Sequence, residues 1–133
     1  MSGRYDITID QGATYRLPIT IRNSDGTPFD LSTWVPKGQI RRTHRSPQVV
    51  AEFVCTVLPD IYGEGAPGSA GKMEVVLIDE VTATIPAGET VNDPRSKYVY
   101  DIFIEQKIAE PAAESKRILE GYVYINPRVT IFT

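Results

Sequence analysis

The sequence predicts an all-β protein folded as a single β-sandwich, immunoglobulin-like or similar, with about seven or eight antiparallel strands. Three observations lead to this prediction. Apolar and polar residues alternate with a period of two along most of the chain, as they do in strands with one buried face. Turn signals recur roughly every ten residues. Ten prolines and ten glycines among 133 residues favour many short elements over long helices.

The first half of the chain contains four predicted strands. Ile7 and Ile9 lie on one face of the first strand, and Leu17 and Ile19 lie on one face of the second. Pro18 removes a donor from the hydrogen-bond ladder, so the second strand is expected at an edge of the sheet or at a bulge. Strands are predicted at 5–10, 14–22, 38–42 and 49–58, with a hairpin turn at 23–28 before Phe29, Leu31 and Trp34 return to the core.

The second half contains the most strand-like segment of the chain, Lys97 to Gln106, which is rich in β-branched and aromatic residues. Asp79 is expected to cap one short helical turn near residues 79–84. No repeat and no linker-like composition divides the chain, so residues 1–133 are predicted to form one domain. Further strands are predicted at 72–78, 117–125 and 128–132, and loops at 59–71, 89–96 and 108–115.

The alternation also predicts which side chains pack between the two sheets. An apolar residue at every second position of a strand defines the buried face. The expected core comprises Tyr15, Leu17, Ile19, Trp34, Val75, Leu77, Val99, Ile102 or its neighbours, Leu119 and Val123.

Composition argues against several classes of function. The net charge of −3 and the pI of about 5.1 differ from the basic footprint of a nucleic-acid-binding domain. With one cysteine, Cys55, and one histidine, His44, the chain offers no internal disulfide and little basis for a zinc site or a catalytic triad. The polar N-terminus does not resemble a signal peptide, and no apolar run approaches the length that spans a bilayer. We expect synthesis in the cytoplasm and no catalytic residue, cofactor, metal, small-molecule substrate, nucleic acid or membrane contact.

Two weaker patterns have simpler explanations. The segment from Asn23 to Gly26, with Asp30 beyond it, lacks the alternating acids and closing glutamate of a calcium loop, which favours a plain hairpin turn. The carboxylate pairs Asp6 with Asp10 and Asp79 with Glu80 could form an acid–base couple, but solvent-facing strand positions and a helix cap explain them equally well.

A basic cluster between residues 37 and 45 is the clearest asymmetry of charge. Four cationic side chains lie within nine residues, and no acid interrupts them. They form a solvated rim or a docking patch for an acidic neighbour, which could be an adjacent copy of the same protein. Nucleic-acid contact is the least favoured alternative, because no aromatic residues interleave the arginines. The glycine-rich loop 59–71 is a second candidate contact, because a partner would have to order it. The candidate partner-binding residues are Lys37, Arg41, Arg42, Arg45, Tyr62 and Glu64.

Four segments together resemble a family of small structural proteins of tailed phages. They are YDITIDQGAT at 5–14, DGTPFDLS at 25–32, YVYDI at 98–102 and RILEGYV at 117–123. Each motif is short, but their order and spacing cover about residues 4–130. The loops at 59–71 and 89–96 are longer than in the family pattern, so contacts made there cannot be transferred.

The resemblance implies an all-β virion protein, similar to the amino-terminal domains that attach receptor-binding fibres to a baseplate, and it implies no catalytic residues. The expected function is a structural role in the tail, baseplate or fibre attachment of the particle. The alternatives are a head decoration or neck protein and a carbohydrate- or receptor-binding module. The expected partners are other virion structural proteins, including further copies of this chain, and the expected location is the virion.

Overall fold

The computed structural model describes residues 3–58, 70–87, 96–107 and 114–128. Within these residues the chain is mostly β, with one helix of four residues, which confirms the predicted all-β class. Its elements are β1 (Gly3–Arg4), β2 (Ile7–Asp10), β3 (Tyr15–Thr20), β4 (Trp34–Arg41), β5 (Val49–Val57), β6 (Lys72–Leu77), α1 (Asp79–Thr82), β7 (Ser96–Gln106) and β8 (Ser115–Asn126). In the same residues no helix is long and apolar enough to cross a membrane.

The strands form one curled sheet, a half-barrel rather than a closed sandwich. Their order is β1-β8-β7-β4-β5-β6-β3, and β2 continues beside β8 after β1. The curl is centred on β5, whose first half pairs with β4 and whose second half pairs with β6. A strand that leaves one partner for another in this way turns the corner of a sheet.

The prediction that all strands are antiparallel is wrong, because β1 and β2 run parallel to β8. Parallel neighbours need a long connection, and here almost the whole chain lies between them. The predicted edge strand is confirmed: β3, which contains Pro18, ends the strand order and pairs with β6 alone among the described strands. Pro18 can occupy this strand because a missing donor is tolerated at an edge.

Half of the ten predicted core residues are buried. Trp34, Val75, Leu77, Ile102 and Val123 lie in the core cluster. The predicted core residues Tyr15, Leu17, Ile19 and Leu119 are half-buried and pack against it. Val99 was placed on the wrong face, because on β7 the buried residues are Ser96, Tyr98, Tyr100, Ile102 and Ile104. Apolar residues occupy both faces of this strand, so the alternation did not determine which face is buried.

Several element boundaries also differ from the prediction. The third long strand begins at Trp34 rather than Gly38, and β7 begins at Ser96, which was expected in a loop. Helix α1 begins one residue beyond Ile78, which is its N-cap and makes no side-chain cap hydrogen bond. Asp79 therefore lies in the first turn, where its carboxylate accepts a hydrogen bond from the Glu80 N–H at 2.8 Å. Most of the predicted loops 59–71, 89–96 and 108–115, and the predicted strand beyond residue 128, lie outside the described residues.

The N-terminal motif residues connect β2 to the rest of the fold. The Asp6 carboxylate accepts the backbone N–H of Tyr122 at 2.9 Å, and the Asn126 side chain donates to Asp10 at 3.0 Å. The Gln11 amide donates to the Ile85 carbonyl oxygen at 2.8 Å and accepts the Arg128 N–H at 3.1 Å. These side chains hold the first and last long strands together, so the two carboxylates are structural.

The residue after Gln11 continues this connection. Gly12 has a φ of +86°, which favours glycine, and its N–H donates to the Thr82 hydroxyl at 3.0 Å. Thr82 is fully buried on α1, and its hydroxyl lies 2.9 Å from the Ala13 carbonyl oxygen. The turn between β2 and β3 is therefore fastened to the helix.

Candidate functional site

The outer face of β4, β7 and β8, which faces away from the core, carries a groove of about 540 Å³. Alternate residues of the three strands line it in register. Val35 lies beside Glu105, Lys37 beside Phe103, Gln39 beside Asp101 and Arg41 beside Val99; on β8, Arg117 lies beside Phe103 and Glu120 beside Asp101. We call this surface the outer groove.

A bulge in β8 determines which charges reach the outer groove. The pairing skips Ile118, because Ile102 lies opposite Leu119 and Phe103 lies opposite Arg117. In a regular strand, residues three apart point to opposite faces, whereas one extra residue restores them to the same face. Arg117 and Glu120 therefore both line the groove. The bulge cannot be seen in the alternation, so the sequence does not predict Arg117 and Glu120 on the same face.

Arg117 is the central charged residue of the outer groove. Its guanidinium lies 2.7 Å from a Glu120 carboxylate oxygen and 3.8 Å from an Asp101 carboxylate oxygen. It also lies over the Phe103 ring, 5.5 Å from the centroid. The aromatic ring and the two carboxylates together fix the guanidinium in one place, which a single exposed ion pair would not do.

Asp101 is influenced by the charges on both sides of the groove. Burial raises the pKa of its carboxyl group, and the neighbouring Glu120 carboxylate raises it as well. Arg117, Arg41 and His44 lower the same pKa, but the loss of solvent outweighs them. Asp101 is therefore a partly desolvated acid among cations.

The structure distributes the basic cluster over three places. Lys37 and Arg41 line the outer groove, Arg42 lies over the Tyr98 ring at 5.4 Å from its centroid, and Arg45 is exposed in the turn after β4. Arg41 also orders that turn, because its guanidinium donates to the Ser46 carbonyl oxygen at 2.8 Å. The four cations therefore do not form one continuous patch. Tyr62 and Glu64 lie outside the described residues.

A second depression of about 310 Å³ adjoins the outer groove. It is lined by Arg42, Lys97, Tyr98 and Tyr122, and it shares Thr43, His44 and Val99 with the outer groove. The Lys97 ammonium lies 3.9 Å from the Tyr122 ring centroid, and the Arg4 guanidinium lies 4.9 Å from it. Lys97 is a cation that the sequence analysis did not select, since it adjoins Arg42 only through the fold.

Two other residues considered for catalysis or metal binding, Cys55 and Asp25, lie away from both depressions. Cys55 is half-buried on β5, and burial raises the pKa of its thiol to about 11, with a smaller contribution from Glu52. Asp25 accepts hydrogen bonds from the N–H and the hydroxyl of Thr27, as a turn residue does. Among the residues that the structure describes, no three histidine, cysteine or acidic side chains form a metal-binding group.

The chain was compared with known proteins. No protein-family model matches it, and the search of curated protein sequences gave no match. Its function must therefore be argued from its own residues.

Proposed function

We propose that this chain is a non-enzymatic structural protein of a tailed-phage particle, which acts by binding neighbouring proteins in the tail, baseplate or fibre attachment. The observation that carries the proposal is the set of four motifs at 5–14, 25–32, 98–102 and 117–123. Three of them lie on adjacent strands, because β2 pairs with β8 and β8 pairs with β7. Because these motifs pair in one ladder, their resemblance to the phage family is better explained by a common fold than by chance similarity of separate short segments.

The chemistry of the described residues supports binding rather than catalysis. The thiol of Cys55 has a pKa of about 11, so very little of it is a thiolate at neutral pH. Asp6 and Asp10 are occupied by hydrogen bonds to β8. The outer groove, in contrast, combines apolar side chains with charges of both signs, so it can make both apolar and charged contacts with a neighbouring protein.

A carbohydrate-binding function receives less support. Such sites stack sugars on exposed aromatic rings, and Trp34, the only tryptophan, is 7% exposed. Tyr122 is nearer the surface, but Lys97 and Arg4 lie over its ring. A head decoration or neck protein remains the alternative within the particle, and microscopy separates it from a tail protein.

The test is to locate the protein in purified particles. An antibody against the folded chain should label the tail, baseplate or fibre attachment in negative-stain images. Label on the head or neck would favour the alternative. Absence of the chain from purified particles, judged by mass spectrometry, would overturn the proposal altogether.

A second experiment tests the basic turn as a contact. Arg42→Glu/Arg45→Glu changes two predicted partner-binding residues and leaves Arg41, which orders the turn, in place. We expect a folded protein whose incorporation into particles falls at least about tenfold, as loss of one or two charged contacts would cause. The control is Arg16→Glu/Arg22→Glu, which makes the same change in charge on exposed residues of β3 and the following turn. Equal incorporation of the two variants would leave the basic turn as a solvated rim.

A further inference from the structure

The charges of the outer groove are arranged in four rungs across β4 and β7. From one end to the other the rungs are Val35 with Glu105, Lys37 with Phe103, Gln39 with Asp101, and Arg41 with Val99. On β8, Arg117 continues the second rung and Glu120 the third. Cations and anions therefore occupy different rungs, and the sequence of rungs has a direction.

Along the four rungs the charges run anion, cation, anion, cation. Read in the opposite direction, the order has every sign exchanged, so two antiparallel copies place opposite charges against each other. A two-fold axis that crosses the strands between the second and third rungs exchanges the first rung with the fourth and the second with the third. The same operation places Arg117 of one copy against Glu120 of the other. It places Lys37 one strand away from Asp101, and Arg41 one strand away from Glu105. Neighbouring strands are about 4.8 Å apart, which lysine and arginine side chains can span.

We propose that the outer groove is a self-association surface, on which a second copy of this chain packs face to face about that two-fold axis. Each of the three oppositely charged pairs then occurs twice, as an isologous interface requires. The inference rests on the proposed function in that it names one partner of an assembly protein.

The apolar side chains of the groove fit the same geometry. Val35 is 48% exposed on the first rung, and the axis brings it to the fourth rung, where Val99 lies one strand away. Phe103, on the second rung, lies opposite Asp101 of the other copy, with the long side chain of Gln39 one strand away. The two valines therefore lie at the ends of the ladder, and the charged pairs of the second and third rungs lie at its centre. An acidic partner of another kind would match the cations but would leave Glu105, Asp101 and Glu120 facing like charges.

Glu105 gives the cleanest test, because its carboxylate is exposed and has one polar contact among the described residues, the Ser115 hydroxyl at 3.4 Å. The purified chain should form a dimer in sedimentation velocity, and the dimer should weaken as salt increases. Glu105→Arg should raise the dissociation constant at least about tenfold, because it replaces two attractive contacts with two repulsive ones. The charge-swapped Arg41→Glu/Glu105→Arg should restore dimerisation, since the pair is re-formed with opposite sign.

Glu80→Arg is the matched control, because it makes the same change in net charge on an exposed residue of α1 outside the groove. Far-UV circular dichroism and thermal melting establish that each variant is folded. A chain that stays monomeric at all concentrations overturns the inference. A dimer equally weakened by Glu80→Arg, or insensitive to Glu105→Arg, overturns it as well. If Arg41→Glu alone unfolds the turn, Lys37→Glu with Asp101→Lys provides a second charge swap with the same expected rescue. These solution measurements are independent of the particle experiments, so the two proposals can fail separately.

Discussion

The phenolic hydroxyl of Tyr100 donates a hydrogen bond to the backbone carbonyl oxygen of Tyr5, although the two residues are 95 positions apart in the sequence. Tyr100 is buried on β7, and its neighbour across the ladder on β8 is Gly121. Because Gly121 has no side chain, the backbone of Tyr5 can lie against it. Three of the four motifs therefore meet at one point, where the first strand joins the last.

Removal of this hydroxyl should destabilise the fold. Tyr100→Phe keeps the buried ring and deletes the hydrogen bond, so we expect the free energy of unfolding to fall by about 1 kcal/mol. Urea denaturation measures the change. Tyr122→Phe is the control, because no hydrogen bond of the Tyr122 hydroxyl is found within the described residues and its ring contacts remain. Equal loss in the two variants would mean that the Tyr100 hydroxyl is not specifically engaged.

The contact at Gly121 predicts a larger effect. A Cβ atom placed on Gly121 would overlap the Tyr5 carbonyl group and lie 2.9 Å from an Asp6 carboxylate oxygen. Backbone cannot move aside as a flexible side chain can, so Gly121→Ala should cost on the order of 2–4 kcal/mol. In Gly3→Ala, on the same pair of strands, the new Cβ would meet its nearest atom at 3.5 Å, and the cost should be near zero. A thermal melt in which the two variants behave alike would contradict this account.

Local pattern was enough to predict most of the strands and the buried faces of several of them. Ile7, Ile9, Val75 and Leu77 are buried as their alternation predicts, and Pro18 correctly marks an edge. Strand direction was not predictable in the same way. The pairing of β2 with β8 joins residues that are 116 apart, and alternation is the same in parallel and antiparallel strands.

The outer groove was predictable only in part. Lys37 and Arg41 lie two strand positions from Gln39 and stand out in the sequence as part of a basic run. Their acidic counterparts come from other strands, and Arg117 reaches the groove only because of the bulge near Ile118. Val99 was assigned to the core since β7 has apolar residues on both faces. The bulge in β8 and the two apolar faces of β7 are therefore the reasons why the sequence did not predict the whole groove.

The different burial of two leucine-sized side chains gives a third prediction. Ile102 is fully buried, whereas Leu119, its partner across the ladder, is half-buried. Ile102→Ala should lower the free energy of unfolding by about 3–5 kcal/mol, and Leu119→Ala by about 1–2 kcal/mol, because a partly exposed site leaves a smaller cavity. Denaturant titration of both variants decides the matter. A larger loss of unfolding free energy for Leu119→Ala than for Ile102→Ala would show that Leu119 is packed more deeply than Ile102.

The fourth prediction concerns the reactivity of Cys55. The pKa of its thiol is raised from 9.0 to about 11, first by burial and then by the charge of Glu52. At pH 8 the thiolate fraction is then roughly a hundredfold smaller than that of an ordinary cysteine. We expect a maleimide or disulfide reagent to label the folded protein at least about a hundredfold more slowly than protein unfolded in urea. Fast labelling of the folded chain would reopen Cys55 as a reactive site.

The same shift predicts how stability depends on alkaline pH. The folded state holds the Cys55 proton more tightly than the unfolded state, because the thiol pKa is about 11 when folded and near 9.0 when unfolded. Below pH 9 both states are protonated, and stability does not depend on this group. Between about pH 9 and 11 the unfolded state loses the proton first, so the free energy of unfolding falls as pH rises. Tyr15, whose pKa burial raises to about 12, acts in the same direction from about pH 10 upward. Cys55→Ala removes the thiol contribution and keeps that of the tyrosine. Urea titrations at pH 8 and pH 10 should therefore show a smaller loss of stability for Cys55→Ala than for the unmodified chain, and equal losses would place the Cys55 thiol in water rather than against the core.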